Sequence, residues 1–379
     1  MMDTTGISTV ILAAGSSSRM GRFKPLMELG GRSVVERVVS VFWEAGINDI
    51  RVVTGHCSME LEPHLERLGV RSLVNANHVD GMFSSVLRAL DDLESDVRAV
   101  FILPVDIPLI RAWTLLRLLE RHREYPDRIV VPSFRGRRGH PVVIPARYLQ
   151  AIREWSGAEG LRGALGVHGR ETFEVPVADR NILFDVDTPE EYTECLRRWS
   201  RYEIPTTDEC EALLQDVCHV DEHVLAHCRA VAAVAGRLCD VLNDAGCPVD
   251  RELAVAAGLL HDMAKGRPDH DQAAARQLMG MGYGELARIV GSHKDIMCSR
   301  DTQVGCDEVL YLADKLVRGS TVCTLEERFR EAFRKNAHSP QALSRIGKRM
   351  QDALAIRDRI EAATCGGYGR IIMREVRGT

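Results

Sequence analysis

The chain has 379 residues, 45% of them hydrophobic and 27% charged, so it is long enough for two or three domains and too apolar to be mainly disordered. Its 49 Lys and Arg against 54 Asp and Glu leave a net charge of −5. That balance gives no global attraction to nucleic acid or to an anionic membrane and points to small ligands. The most apolar stretch, Leu253–Leu260, falls far short of the roughly 20 residues a membrane span needs, and Met1–Thr5 lacks the basic start of a signal peptide. A cytoplasmic protein is expected. No two cysteines form a C-x-x-C pair, so reduced, buried thiols are the expectation.

Up to about Trp199, short β-branched runs alternate with amphipathic stretches. Strands are predicted at Thr9–Ala13, Ile50–Thr54, Arg71–Val74, Ala99–Leu103, Ile129–Pro132 and Val142–Ile144. Helices are predicted at Ser33–Ala45, Phe83–Leu93 and Ala112–Arg123. This rhythm predicts an α/β domain over residues 1–200 with a mostly parallel, doubly wound, Rossmann-like sheet. The polar, proline-containing stretch around Tyr202–Asp208 predicts a linker at 201–209. Beyond it the β-runs vanish, and Val224–Leu242, Arg251–Ala264 and Glu326–Asn336 carry helical spacing, so residues 210–379 are expected to be all-α. A short final strand is predicted at Arg370–Met373, after a glycine-rich break.

Directly after the first strand comes Leu12-Ala13-Ala14-Gly15-Ser16-Ser17-Ser18-Arg19-Met20-Gly21-Arg22-Phe23-Lys24. Glycine admits an anion close to the backbone, serine hydroxyls and free N–H groups donate to it, and Arg19 and Lys24 supply charge, so the loop suits phosphates. A loop of this composition can equally be a solvated turn, and the spacing is neither a Walker motif nor the G-x-G-x-x-G fingerprint. Asp106 follows the apolar run Val100–Leu103, which would bury as a central strand and present the carboxylate at its C-terminal edge, as a metal ligand or as a helix cap before Pro108. Asp185 and Asp187 stand two apart in a strand-like segment, so either could complete a magnesium site while the other caps the helix at Pro189.

The full string resembles the signature of MobA-like nucleotidyltransferases. It continues through Leu29–Val34, Gly81-Met82-Phe83-Ser84-Ser85, Pro104-Val105-Asp106-Ile107-Pro108, Arg138-Gly139-His140-Pro141 and Asp185–Tyr192, in the family's order over about the first 200 residues. The resemblance implies a nucleoside triphosphate held by Leu12–Ser17, Arg19, Gly21, Lys24, Ser84 and Ser85. It implies Mg²⁺ on Asp106 with Asp185 or Asp187, an acceptor pocket at Gly139, His140 and Pro141, and Arg19, Lys24 and Asp106 as catalytic residues. An acceptor phosphate would attack the α-phosphate and pyrophosphate would leave. Guanylyl-transferring members read Leu-Ala-Gly-Gly where this chain reads Leu12-Ala13-Ala14-Gly15, like the cytidylyl-transferring branch. CTP as nucleotide and a molybdopterin-type phosphate as acceptor are therefore expected, with a sugar or polyol phosphate as the alternative acceptor. The resemblance also implies contact with a molybdenum enzyme or its chaperone.

In the helical half, His227, His261-Asp262, His293 and Asp314 lie on separate segments and are ligand types a divalent metal favours; singly, each is more often a core or surface residue. His227–Ala235, Gly258–Gly266 and Ala313–Leu316 resemble HD-domain metal-dependent phosphohydrolases over about Asp221–Arg318. That resemblance implies one or two divalent transition-metal ions (Mn, Fe or Zn) on His227, His261, Asp262 and Asp314, with His270 and His293 where two-metal members place extra histidines. Lys265, three residues past Asp262 on the same predicted helical face, could touch a substrate phosphate or be solvated. HD domains also serve as regulatory nucleotide- or metal-binding modules, so control of the transferase is the alternative to hydrolysis.

Overall fold

Ile7–Leu12 (β1) is buried on both faces, which a strand tolerates only at the centre of a sheet covered by helices on either side. In the computed structural model, which describes residues 3–296 and 303–369, the chain divides into two compact units, Met1–Tyr202 and Glu203–Thr379.

In the first unit β1 is followed by a small hairpin, β2 (Glu28–Leu29) and β3 (Arg32–Ser33), and then by α1 (Val34–Glu44), β4 (Asp49–Thr54), α2 (Ser58–Leu68), β5 (Arg71–Val74) and α3 (Met82–Leu90). The path continues through β6 (Ala99–Pro104), α4 (Ala112–Glu124), β7 (Ile129–Phe134), β8 (Arg137–Arg138), β9 (Val142–Pro145), α5 (Leu149–Arg153), α6 (Gly160–Gly166), β10 (Thr172–Pro176) and α7 (Pro189–Trp199). The main sheet runs β10-β7-β9-β6-β1-β4-β5, with β8 on β7. β1 pairs in parallel with β4 and β6, β4 with β5, and β10 with β7, whereas β9 is antiparallel to β6 and β7. The sheet is thus mostly parallel. From β1 the chain first builds outward to β4 and β5 and then returns to lay β6 on the other side of β1. This reversal opens a crevice at the C-terminal ends of β1 and β6, where ligands bind in open α/β sheets.

Local chemistry sets the helix starts at this edge. Ser33 caps α1 and Thr188 caps α7, each in a reciprocal capping box with the glutamate three residues on. A cap of this kind contributes about 1 kcal/mol. Glu191 also accepts from the Asp187 backbone N–H at 2.8 Å, so the α7 cap fixes the residue that enters the crevice. The segment that carries Asp185 and Asp187, read as strand-like, is irregular: its backbone bonds to a helix cap and, through Val186 N–H, to Asp106 O at 2.8 Å, not to a neighbouring strand. Helix α2 and strand β10 escaped the pattern reading, α2 because Pro63 interrupts it and β10 because it is short and only partly buried.

The unit boundary is abrupt. Tyr202 still donates its hydroxyl to Ile110 O at 2.9 Å, and Thr206 already caps the next helix, α8 (Thr207–Ala212), inside the stretch expected to be linker. The second unit is helical: α9 (Glu222–Asp244), α10 (Arg251–Leu260), α11 (His270–Gly280), α12 (Gly284–Gly291), α13 (Cys306–Lys315), α14 (Leu325–Lys335) and α15 (Pro340–Thr364), with a two-stranded hairpin of β11 (Val317–Arg318) and β12 (Thr321–Val322). Helix α10 ends at Leu260, earlier than its apolar spacing suggests, and residues 261–266 form turns. Gly258 makes the α9–α10 crossing close, because a Cβ there would lie 2.6 Å from Ala232 Cα. The predicted strand at Arg370–Met373 lies outside the described residues. Among the described residues no helix is long and apolar enough to cross a membrane.

Candidate active site and candidate metal centre

At the sheet edge, Lys24 ends the loop that leaves β1, Asp106 follows β6, and Asp187 precedes α7. Lys24 Nζ lies 2.7 Å from Asp187 Oδ1 and 3.5 Å from Asp106 Oδ2, and Arg19 reaches Asp187 Oδ2 at 2.6 Å. Three segments far apart in sequence therefore converge on one point, where the Lys24 ammonium bridges two carboxylates. Burial pushes the Asp106 carboxyl above the usual aspartate range; Lys24 opposes the shift and Asp187 and Asp185 reinforce it. The hydrogen bond from Lys24, with the charges of Lys24 and Arg19, holds Asp187 below that range. Asp185 is exposed and acts on Asp106 only through its charge. A shared lysine bridging two carboxylates shows that both point at a space one cation can occupy, and carboxylate oxygens are the donors Mg²⁺ prefers.

A cavity of about 450 Å³ opens beside this point, lined by Leu12–Ser17, Lys24, His56, His78, Ser85 and Asp106 among others. Gly55 brings the end of β4 onto the loop, since a Cβ there would sit 2.7 Å from Ala14 O. Arg19, Gly21 and Ser84 do not line this cavity. Ser84 turns its hydroxyl to the backbone of Asn77 and Gly81, and Asn75 Nδ2 donates to both Ser84 and Ser85 at 2.9 and 3.0 Å. A second cavity of about 980 Å³ shares Gly81 and Met82 with the first and includes Arg138, Gly139, His140, Phe83 and Leu161 in its wall, though not Pro141. Burial holds His140 below the usual histidine range, so it is a neutral wall residue at pH 7. His56 and His78, in the first cavity, were not singled out by sequence reasoning, since no motif separates them from ordinary loop residues; Arg138, in the second, opens the Arg138–Pro141 string but was not assigned to the pocket.

In the helical unit, α9 supplies His227, the end of α10 His261 and Asp262, the start of α11 His270, the end of α12 His293, and α13 Asp314. Three imidazoles are tied by Nδ1 to backbone carbonyls: His227 to Gly319 O at 2.8 Å, His261 to Gly258 O at 2.8 Å and His293 to Val290 O at 2.7 Å. Each such bond puts the proton on Nδ1 and turns the Nε2 lone pair inward, the arrangement metal-ligating histidines use. Asp262 divides its carboxylate. Its Oδ2 lies 3.9 Å from His227 Nε2 and 3.7 Å from His261 Nε2, and its Oδ1 lies 3.1 Å from His270 Nε2 and 3.9 Å from His293 Nε2. Asp314 Oδ1 adds contacts of 3.3 Å to His227 and 3.8 Å to His261. In each of the triads His227–His261–Asp262 and Asp262–His270–His293, the ligand atoms lie within 4.8 Å of one another.

The fit to a metal is tested by two orphaned atoms. His261 Nε2 and Asp262 Oδ1 are buried without a hydrogen-bond partner, a condition costing about 1–3 kcal/mol per group unless something else binds there. Burial, then the charge of His261, brings the His293 pKa down to about 4, so it offers a lone pair at neutral pH. Burial also lowers His261. For His227 burial is outweighed by the hydrogen bond and charge of Asp314, and the pKa rises. Lys265 sits in the turn after α10, not on its face, with its ammonium 2.7 Å from Asp262 Oδ2. A cavity of about 230 Å³ over this cluster is also lined by Lys294, Lys315, Arg328 and Arg349. Sequence reasoning missed these four, although Lys315 adjoins Asp314 and could have been found there.

The two sites define a chain that pairs an α/β nucleotide-type crevice with a helical histidine–aspartate cluster. Comparison with known families agrees: residues 9–172 match the MobA-like NTP transferase domain and residues 224–319 match the HD domain, so one polypeptide carries both. A curated relative, the bifunctional protein GlmU of Staphylococcus haemolyticus, is 34% identical over 150 residues, covering 39% of this chain and 31% of its own. The chain spans about a third or less of the curated relatives it matches. Among solved structures, a nucleotidyl transferase from Methanothermobacter thermautotroptrophicus is 24% identical over 52% of this chain and 98% of its own, with a TM-score of 0.44. A cytidylyltransferase from Leptospira borgpetersenii is 14% identical over 57% of this chain and 97% of its own, also with a TM-score of 0.44.

Proposed function

We propose that the N-terminal unit transfers a cytidylyl group from CTP to a molybdopterin-type phosphate, releasing pyrophosphate, and that the helical unit is a metal-dependent phosphohydrolase. The observation that carries the first part is the meeting of Lys24, Asp106 and Asp187 beside the smaller cavity, which shares Gly81 and Met82 with the larger one. The smaller cavity, walled by the Leu12–Ser17 loop, takes the nucleotide, and the larger, walled by Gly139 and His140, takes the acceptor. An acceptor phosphate oxygen bonds to the α-phosphorus as its bond to the bridging oxygen breaks, and the electron pair leaves with pyrophosphate. Backbone N–H groups of the loop orient the triphosphate, and Lys24 and Arg19 offset the charge that develops on it. Asp106 and Asp187 would hold Mg²⁺, which when bound neutralises phosphate charge.

For the helical unit the supporting observation is the pair of buried, unpartnered ligand atoms on His261 and Asp262. His227, His261, Asp262 and Asp314 would hold one divalent ion, and Asp262, His270 and His293 a second, with Asp262 shared. A metal bound there lowers the pKa of a water and polarises a phosphate oxygen. The chain's own part is to fix the imidazole tautomers through Gly319, Gly258 and Val290 and to keep the carboxylates ionised.

The decisive experiment incubates the purified protein with Mg²⁺, molybdopterin and each of CTP, GTP, ATP and UTP and measures pyrophosphate release. Release with CTP alone is expected. Release only when a sugar phosphate replaces molybdopterin would transfer the acceptor assignment to that class, and no release with any acceptor would overturn the transferase reading.

A further inference from the structure

The cavity over the histidine–aspartate cluster carries more positive charge than one phosphoryl group needs. Lys265, Lys294, Lys315, Arg328 and Arg349 face it against two carboxylates, Asp262 and Asp314, both of them candidate metal ligands. Most of these cations have partners. Lys265 pairs with Asp262, Lys315 with Asp314 at 2.7 Å, Lys294 with Asp271 at 2.6 Å, and Arg349 with Asp295 at 2.9 Å. Arg328 differs. It is partly buried in the first turn of α14, and among the described residues its guanidinium makes no ion pair or side-chain hydrogen bond. It also lines an adjoining cavity of about 290 Å³, and both cavities share Lys315, Arg328 and Arg349. A guanidinium taken partly out of water without an anion is costly, and its planar donors match a phosphate in bidentate fashion.

We infer that the helical unit acts on a phosphoanhydride, with the terminal phosphoryl group over the His227–Asp262 cluster and the adjacent phosphate seated on Arg328. This rests on the phosphohydrolase reading above. A water oxygen bonds to the terminal phosphorus, and the bond from that phosphorus to the bridging oxygen breaks. The electron pair leaves on the phosphate held by Arg328, which takes up one proton from the water. Two chemical sources carry this group: inorganic pyrophosphate, the product of the transfer proposed for the N-terminal unit, and the diphosphate of a nucleotide.

The test uses the full chain loaded with Mn²⁺ and compares inorganic pyrophosphate, CDP and p-nitrophenyl phosphate as substrates for wild type, Arg328→Ala and Arg328→Lys. The expected result is a loss of about 30-fold or more in kcat/KM for the phosphoanhydrides in Arg328→Ala, partial recovery in Arg328→Lys, and a change under about twofold for the monoester. Preference for pyrophosphate over CDP assigns the first source, and the reverse assigns the second. Equal loss on all three substrates, or no loss, overturns the inference while leaving the phosphohydrolase reading intact. If wild type hydrolyses none of them, that reading fails, and calorimetry decides the anion site. Pyrophosphate binding tighter than orthophosphate and weakened at least tenfold by Arg328→Ala upholds it, and identical binding in the two proteins removes it.

Discussion

In the function proposed above the two sites would reach similar ends, a divalent ion beside a phosphate, by opposite constructions. In the N-terminal unit the charged groups sit on loops at one sheet edge, partly open to solvent, and the ligands are oxygens held by a lysine and a helix cap. In the helical unit the candidate ligands sit at the ends and on the faces of packed helices, with His261, Asp262, His293 and Asp314 buried and His227 and His270 partly so, and they are mainly imidazoles, three of them locked by backbone carbonyls. A loop-borne site can close around a large substrate with small backbone shifts; a helix-borne one is preorganised and depends on the packing beneath it.

This difference can be broken from either side. The largest effect is expected at Lys24: Lys24→Ala should lower pyrophosphate release by about 10²–10³-fold, as loss of a preorganised charge at a phosphoryl centre does. Its melting temperature should stay close to wild type, because the side chain anchors no core. Wild-type turnover in that variant would remove Lys24 from the mechanism. Next comes Asp262→Asn, in which the carboxylate shared by both triads loses its charge. Bound transition metal measured by mass spectrometry should fall below about a tenth of wild type if both sites depend on it, while cytidylyl transfer is unaffected. Retention of one equivalent would show that Asp262 serves only one site.

Smaller effects sharpen the contrast in packing. Gly258→Ala forces a methyl group against the α9 backbone and should destabilise the helical unit by about 1–3 kcal/mol, the cost of overpacking, read as a lower urea midpoint. The same change should weaken metal retention, because the crossing it spreads sets the distance between His227 and His261. An unchanged midpoint would mean the helices separate freely.

The smallest effects are those of pH, and they differ between the units. In the metal-stripped helical unit, burial depresses His293 to about 4 and also lowers His261 and His270. Histidines kept neutral by the fold contribute stability above their unfolded value near 6.5, and that stability is lost as pH falls through the folded value. His227, shifted upward, works in the opposite sense but is outnumbered. The urea midpoint should therefore drop between about pH 6.5 and 4. At the sheet edge Asp106 takes its proton at a higher pH than a free aspartate, so Mg²⁺ affinity should begin to fall while pH is still above about 4. A Mg²⁺ titration flat down to that pH would place the ion elsewhere.

Much of this was legible in one dimension. Strand β6 is a continuous apolar run followed two residues on by Asp106, α1 opens with a Ser-x-x-Glu capping pattern, and His261-Asp262 sits in a recognisable string, because each depends on residues adjacent in sequence. Other features depend on residues far apart. The insertion of β9 antiparallel between β6 and β7, and the short edge strand β10, are set by what the neighbouring strands leave exposed. That Asp187 and not Asp185 meets Lys24 follows from the α7 cap holding the Asp187 backbone. The division of the Asp262 carboxylate between two groups of histidines, and the isolation of Arg328 above them, arise only when α9, α10, α11, α12, α13 and α14 pack together. Sequence by itself determined the two domain types and the residue classes that carry their chemistry, since motifs and periodicity are local. Tertiary structure alone decided which atoms face one another, since that depends on rotamers and helix crossings that long-range burial selects.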